Sequence, residues 1–294
     1  MVKIAFLLMC HKNAEQVNHL IDKLSTENRD FYVHVDSKSQ IFDEIKWSEH
    51  VIPAKRRIDV KWGTISQCDT EISLIETALE SGKQYDYYWL ISGQDFPIKS
   101  NEYIDAFLEE NKGTNFIDII DTSLPAHLNK VKRNELYYPN WMFKRNLFSK
   151  VMRRACVMLT GGENKTFSCF KRKNITGLDF RFGANWFCLS HECIEYAFGE
   201  LKSKPEILKF YKNALNSDES FMQTIIANSP FAKSVKDRTV YVDWSEMKPN
   251  PKILGNDDIE SLKASKMLLA RKFDIVTPEI EALSDLKMET IKRS

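Results

Sequence analysis

The sequence predicts an α/β fold, a mostly parallel sheet flanked by helices on both faces, and three observations predict it. Strand-like and helix-like stretches alternate throughout the first 120 residues, as in consecutive βαβ units. Tyr88-Trp89-Leu90-Ile91 is a short continuous apolar run of the kind carried by a buried central strand. That run breaks at Ser92-Gly93 and gives way to Gln94-Asp95 before Pro97. Polar side chains thus stand at the carboxyl end of the strand, where open α/β sheets bind ligands.

Taken in order, Ile4 to Met9 reads as the first strand, and Val17, Leu20, Ile21 and Leu24 recur at helical spacing after it. Phe31 to Val35 is the second strand, ending in Asp36-Ser37-Lys38-Ser39, and Val51 to Ala54 is a third. After Trp62-Gly63-Thr64 comes a long helix with Ile65, Cys68, Ile72, Ile75 and Leu79 on one face, capped by Thr64 or Ser66. The central strand follows, then a helix around Tyr103 to Leu108 and a strand from Phe116 to Ile120. Gly183 to Ser190 reads as a strand entering a helix from His191 to Leu201. Asp218 and Glu219 precede a helix whose Phe221, Thr224, Ile225 and Ile226 turn inward, and acids so placed ordinarily cap a helix and meet its dipole. Val240 to Val242 is a late strand, and Pro278 to Ser294 a terminal helix.

Lys and Arg number 42 against 41 Asp and Glu, so the field of the whole chain favours neither nucleic acid nor an acidic partner. Six cysteines without a C-x-x-C pair make neither a disulfide scaffold nor a zinc ribbon. The opening apolar run is too short for a membrane span and poor as a signal peptide, so a reduced, cytosolic protein is expected. Charge is uneven only between Asn129 and Lys173, where many lysines and arginines meet just Glu135 and Glu163, with Tyr137, Tyr138, Trp141, Phe143 and Phe148 interleaved. Such a stretch is a solvated insertion whose aromatics pack on the domain, or a surface for an anionic membrane, a phosphorylated or lipid-linked substrate, or nucleic acid.

Several chemistries are excluded. There is no G-x-G-x-x-G after a strand, no P-loop and no G-x-S-x-G elbow. Cys10 and His11 are adjacent in a strand and point to opposite faces, which argues against a nucleophile and base. No Asp-x-Asp pair occurs.

Segments spread along nearly the whole chain then fit one pattern: His34-Val35-Asp36 with Lys38-Ser39, Val60-Lys61-Trp62-Gly63 followed by Ser66, and Leu90 to Lys99. Gly183 with Asn185-Trp186-Phe187, Ser217-Asp218-Glu219, Asn250 to Leu254, and Ala270 to Asp274 follow in that order. Together they resemble the core-2/I-branching enzyme family, which groups β-1,6-N-acetylglucosaminyltransferases with peptide O-xylosyltransferases as glycosyltransferase family 14. The resemblance implies a GT-A-like nucleotide-sugar-binding fold and an inverting transfer of a sugar from a UDP donor to an acceptor hydroxyl, without metal or other cofactor. Fixed cations must then meet the charge that develops on the diphosphate, and the family's two basic positions fall on Lys252 and Lys272. Glu219 falls on its catalytic base. Asp36 and Trp62 fall where the family binds uridine, with His11 near the same pocket. Asp95, in the strand-end motif, is either a further nucleotide contact or a turn residue. Asn185 and Trp186 fall on the acceptor side.

The same resemblance implies one glycosyltransferase domain over residues 1–294, with 1–120 as the nucleotide-binding half, 121–175 as the basic aromatic insertion and 176–294 as the acceptor and catalytic half. N-acetylglucosamine or xylose is the expected donor sugar, with galactose and glucose open. The disulfide framework, anchor and stem of the animal members have no counterpart in this sequence, so a bacterial-type cytosolic member is expected, peripheral on the inner face of the cell membrane. Its expected partners are a UDP-sugar, a glycan or lipid-linked glycan acceptor from surface polysaccharide synthesis, and an anionic membrane surface, with no nucleic acid. A catalytically silent UDP- or glycan-binding protein on this fold, and a membrane adaptor acting through residues 129–173, are the alternatives.

Overall fold

The computed structural model describes residues 1–120, 136–138, 146–160, 172–248 and 250–286. Strand β1 (Ile4–Cys10) is apolar throughout and almost wholly buried, as a strand is when parallel neighbours and helices enclose it. It pairs in parallel with β2 (Arg29–Val35) on one side and with β4 (Tyr87–Ser92) on the other, and β3 (Val51–Pro53) adds in parallel beyond β2. Past β4 come β7 (Phe187–Ser190) and then β6 (Asn115–Ile117), and both of these joins are antiparallel. The strand β8 (Val235–Lys236) closes that edge in parallel with β6. Among the described residues this makes a 7-stranded sheet in the order β3-β2-β1-β4-β7-β6-β8. The architecture is the expected α/β, GT-A-like one, with β7 as the reversed strand.

The reversal has a positional consequence. Tyr87 of β4 lies opposite Ser190 and Trp89 opposite Cys188, so the chain enters β7 at the carboxyl end of β4. Residues just before β7, Asn185 and Trp186 included, therefore arrive at the ligand-binding edge of the sheet.

Side chains alternate between the two faces. On one face Phe6 stacks on Phe31 and Trp89, at ring separations of 5.0 and 5.5 Å, beneath helices α1 (Ala14–Leu24) and α3 (Asn101–Glu110). On the other, Leu7, Tyr32, Tyr88 and Leu90 pack under α2 (Ile65–Leu79). Helix α4 (Leu147–Thr160) intervenes in the chain before α5 (His191–Ser203), α6 (Glu206–Tyr211) and α7 (Phe221–Ala227), which complete that second core. The hydroxyl of Thr64 accepts from the Ser66 N–H and caps α2, so of the two residues expected there the first is the cap.

A second sheet was not apparent from the sequence. The strands β5 (Asp95–Pro97), β9 (Val240–Val242) and β10 (Leu269–Arg271) pair in the order β5-β10-β9. β5 holds an edge, where the missing N–H of Pro97 is tolerated. Of the expected terminal helix, the described part is a single α-turn, α9 (Pro278–Glu281), followed by a 3₁₀ turn over Ala282–Asp285, and residues 287–294 lie outside the described residues. Helix α8 (Ile259–Ala264) precedes β10. Of the basic stretch 129–173, residues 136–138, 146–160, 172 and 173 are described, and the remainder lies outside the described residues.

Gly93 sets how closely the end of β4 approaches α1. Its N–H donates to the Met9 carbonyl at 2.9 Å, and a Cβ there would lie 2.8 Å from Val17 Cγ2 and 2.9 Å from Cys10 Cβ. Gly93→Ala is expected to destabilise the fold by about 1–3 kcal/mol through overpacking. Urea unfolding would show a lower midpoint at unchanged slope, and an unshifted midpoint would sink the close-approach argument.

Candidate active site

The carboxyl ends of β1, β2 and β4 and the segment after β10 meet in one place. Asp36 follows β2 and is buried, with its N–H donating to the Cys10 carbonyl at 2.9 Å. Its Oδ1 accepts from the Lys38 N–H at 2.9 Å and its Oδ2 from Lys38 Nζ at 3.1 Å. Lys38 Nζ also donates to Asp59 and, at 2.7 Å, to the Val60 carbonyl, which ties the loop carrying Trp62 to the end of β2. The imidazole of His34 supports the same loop. Burial pushes its pKa down to about 4, so the ring is neutral and its Nε2 accepts from the Ile58 N–H at 2.9 Å. Trp62 itself stands 66% exposed, a bare indole free to stack on a planar ligand.

His11 and Lys272 reach this corner from opposite ends of the chain. The His11 pKa is lowered, first by desolvation and then by Lys12, with Asp36 opposing and Lys272 and Lys38 adding to the shift. His11 thus feels the charges of Asp36, Lys38 and Lys272. The Lys272 ammonium is held below its ordinary pKa by burial first, and then by Arg271 and Lys12. Lys252 lies two residues before Leu254, whose N–H donates to the Lys272 carbonyl at 2.9 Å. Its Nζ donates to Asp258 Oδ1 at 2.6 Å, and that hydrogen bond raises its pKa. The arrangement therefore brings His11, Asp36, Lys272 and the Trp62 loop to one corner, while Lys252 is held in its ion pair with Asp258.

Asp95 belongs to a different layer from the one expected of a nucleotide contact. It is completely buried, its Oδ2 accepts from the Ser92 N–H at 2.9 Å, and its Oδ1 lies 3.4 Å from Arg271 Nε. Burial raises its pKa, and Arg271 opposes that. The Arg271 guanidinium in turn sits 3.9 Å from the centre of the Trp186 ring. Asp95 thus orients Arg271, and Arg271 occupies one face of Trp186. Arg271 was present in the matched motif without a role assigned to it. Alternation along a three-residue strand does not reveal that its neighbour would be an aromatic face from 85 positions earlier in the chain.

Glu219 ends a 3₁₀ turn, Ser217–Glu219, that precedes α7, and is partly exposed. Its carbonyl accepts from the Gly183 N–H at 2.9 Å. A Cβ on Gly183 would fall 1.5 Å from the Asp118 carbonyl oxygen, so only glycine allows the strand edge and the turn to close up here. Gln223 of α7 donates to the Ala184 carbonyl at 2.7 Å, which fixes the approach to Asn185. Asp218 is not a helix cap. It is buried and accepts from Gln67 Nε2 at 2.7 Å. Burial, then the charge of Glu219, pushes its pKa from 3.8 to about 7. Glu71 on α2 is fully enclosed and its carboxyl is held well above the usual range by burial and by Asp218, with Asn185 opposing. Asn185 is itself buried and faces this pair. Neither Gln67 nor Glu71 was singled out from the sequence, because each sits at an ordinary polar position of an amphipathic helix.

Fold and cleft together are those of a GT-A-like glycosyltransferase scaffold. The chain belongs to the core-2/I-branching enzyme family, whose model, "Branch: Core-2/I-Branching enzyme", matches residues 4–267. It is similar to xylosyltransferase 2 of Rattus norvegicus, 24% identical over 254 residues, which is 83% of this chain and 27% of that protein. It is similar also to xylosyltransferase 1 of Rattus norvegicus, 24% identical over 307 residues (95% of this chain, 34% of that protein). Xylosyltransferase oxt of Drosophila melanogaster is 24% identical over 304 residues, covering 94% of this chain and 32% of that protein. The chain thus spans about a third or less of the length of these curated relatives.

The raised pKa of Asp218 has a measurable consequence. Between the ordinary carboxylate pKa and about 7 the folded chain holds a proton that the unfolded chain has released, so stability falls as pH rises through that window. Asp218→Asn removes this contribution while still offering Gln67 an oxygen. The stability of the variant relative to wild type is expected to grow by about 1–3 kcal/mol between pH 4 and pH 8. Urea melts at both pH values giving a constant difference would contradict the assignment.

Proposed function

We propose that this chain is the transferase domain of an inverting, metal-independent glycosyltransferase that moves a sugar from a UDP-sugar to a hydroxyl of a glycan acceptor. The observation that carries the reading is the meeting of His11, Asp36, Lys272 and the Trp62 loop, remote in sequence, around the strand ends of a family-matched fold. In this reading the indole of Trp62 stacks on the uracil and the Asp36 carboxylate accepts from the nucleoside. The Glu219 carboxylate takes the proton of the acceptor hydroxyl as its oxygen attacks the anomeric carbon from the face opposite the diphosphate. The bond from that carbon to the diphosphate oxygen breaks, and the charge left on the phosphate meets Lys252 and Lys272. Two fixed ammonium groups and the lack of an Asp-x-Asp pair support a mechanism without metal. The names of the curated relatives favour xylose, with N-acetylglucosamine next. Asn185 and Trp186 are the candidate acceptor contacts.

A specific observation supports an acceptor presented at an anionic membrane, as a lipid-linked glycan would be, with the domain on its cytoplasmic side. Helix α4 carries Lys150, Arg153 and Arg154 and no acid. Its Leu147, Phe148, Val151, Met152 and Leu159 share one arc of the helix and are all exposed. An apolar arc flanked by basic residues is the pattern of a helix lying in a membrane interface. Among the described residues no helix is long and apolar enough to cross a membrane.

UDP release from a panel of UDP-sugars, measured in EDTA and in manganese, tests the first reading. Turnover of one donor in EDTA is expected, with Glu219→Gln slower by about 10²–10⁴-fold, whereas a strict need for manganese would contradict the role of the lysines. For the membrane reading, flotation with vesicles containing phosphatidylglycerol should carry the protein upward, and Phe148→Ser with Arg154→Glu should weaken this. Wild type remaining at the bottom of the gradient would rule it out.

A further inference from the structure

Gln67, in the first turns of α2, makes two hydrogen bonds that point in different directions. Its Oε1 accepts from the Gly63 N–H at 2.6 Å, and its Nε2 donates to Asp218 Oδ2 at 2.7 Å. One end of this amide therefore holds the loop that carries Trp62, and the other holds the residue next to Glu219. A parallel tie runs beside it, from the Asn216 N–H to the Gly63 carbonyl at 2.9 Å. Asn216 is in the left-handed conformation, with φ 52°, so the turn enters Ser217 from a backbone state that such a tie helps to hold. From these bonds we infer that Gln67 is a positioning residue, one that locks the turn bearing Glu219 to the Trp62 loop so that donor site and base form a single arrangement.

The inference rests on the glycosyl-transfer reading and extends it to a residue outside both matched motifs. Chemistry restricts what can stand at position 67. The Gly63 N–H requires an acceptor and the Asp218 carboxylate requires a donor, and the neutral amide in one orientation supplies both at any pH. Asp218 is faced by Glu219 from its own turn, and by Glu71 and Cys68 from α2. None of these is a cation, so Gln67 Nε2 adds a neutral side-chain donor to the backbone N–H groups of the turn. The loop on the other side has further supports, the Thr64 N–H to the Lys61 carbonyl at 3.1 Å and the Lys61 N–H to Ser66 Oγ at 2.8 Å. Removing the amide therefore takes away the side-chain tie to Asp218 and lets the turn shift on its remaining backbone bonds, while the Trp62 loop keeps its shape. The effect belongs in the chemical step, where a displacement of the base of about 1 Å is worth up to roughly 10²-fold.

The test compares wild type with Gln67→Leu and Gln67→Glu in UDP release, with UDP binding measured by calorimetry on the same preparations. Gln67→Leu is expected to lower kcat by about 10–100-fold, with donor KM and UDP affinity within about threefold of wild type. Gln67→Glu still accepts from Gly63, and it donates to Asp218 only while one carboxyl of the pair is protonated. Its activity relative to wild type is therefore expected to be near full at pH 5.5 and to fall as the pH rises past 7, a pH-dependent rescue that a purely structural role would not produce. Wild-type kcat in Gln67→Leu would overturn this inference alone. A loss of UDP affinity in both variants, equal to the loss in rate and flat with pH, would also overturn it. A wild-type protein that turns over no donor would defeat the transfer reading and this inference together.

Discussion

Gln94 and the Phe273-Asp274 segment hold each other from both sides, and the layout of the candidate site depends on that union. The Phe273 N–H donates to the Gln94 carbonyl at 2.9 Å, while Gln94 Nε2 donates to Asp274 Oδ1 at 2.7 Å and to the Phe273 carbonyl at 3.3 Å. Lys12 Nζ adds a bond to the same Asp274 oxygen at 2.7 Å, and Asn13 Nδ2 reaches the Asp274 carbonyl at 2.9 Å. Gln94 is buried, so these bonds form where an unmade one would cost the full desolvation of its group. They draw the last β-strand of the described chain across the ends of the first and fourth, and with it come Arg271 and Lys272. Gly93 lets the end of the fourth strand lie close against Val17 and Cys10 beneath this union, and the antiparallel pairing of Arg271 with Asp95 continues it into the second sheet.

Much of the first half of the fold was legible in the sequence, because its signals are local. The apolar runs of β1, β2 and β4 and the 3.6-residue spacing on α1 and α2 record burial directly. What was not legible depends on partners distant along the chain. β5 and β10 are three residues each, one ending in proline and the other in arginine, and neither is a strand by propensity. They exist because they pair with each other. The terminal stretch after Pro278 carries a good start signal for a helix, yet the described chain turns through 3₁₀ geometry after one turn. Ile280 and Leu283 both bury there, so packing on the core sets the path.

The candidate site divides in the same way. Motif order alone pointed to Glu219, Lys252, Lys272, Asp36 and Trp62, since each stands in a stretch of matching neighbours. It could not separate residues that face the cleft from those that support it. Asp95 and Asp36 both follow buried strands and look alike in one dimension, yet Asp95 is sealed against Arg271 while Asp36 is linked through Lys38 to the Trp62 loop. The acids behind Glu219 show the same limit. Glu71 lies on a helix whose other face is apolar, and its enclosure follows from α2 packing on the turn at Ser217–Glu219, a contact between segments far apart in the chain.

The ion pair between Lys252 and Asp258 sets what any ligand of that lysine must displace. Asp258 is nearly enclosed and also accepts from the Gly255 N–H at 3.0 Å, so it is a fixed competitor for the ammonium rather than a swinging one. On the proposed transfer reading, a diphosphate would have to take the Lys252 ammonium away from a carboxylate that does not move, and that carboxylate would take it back once the nucleotide leaves.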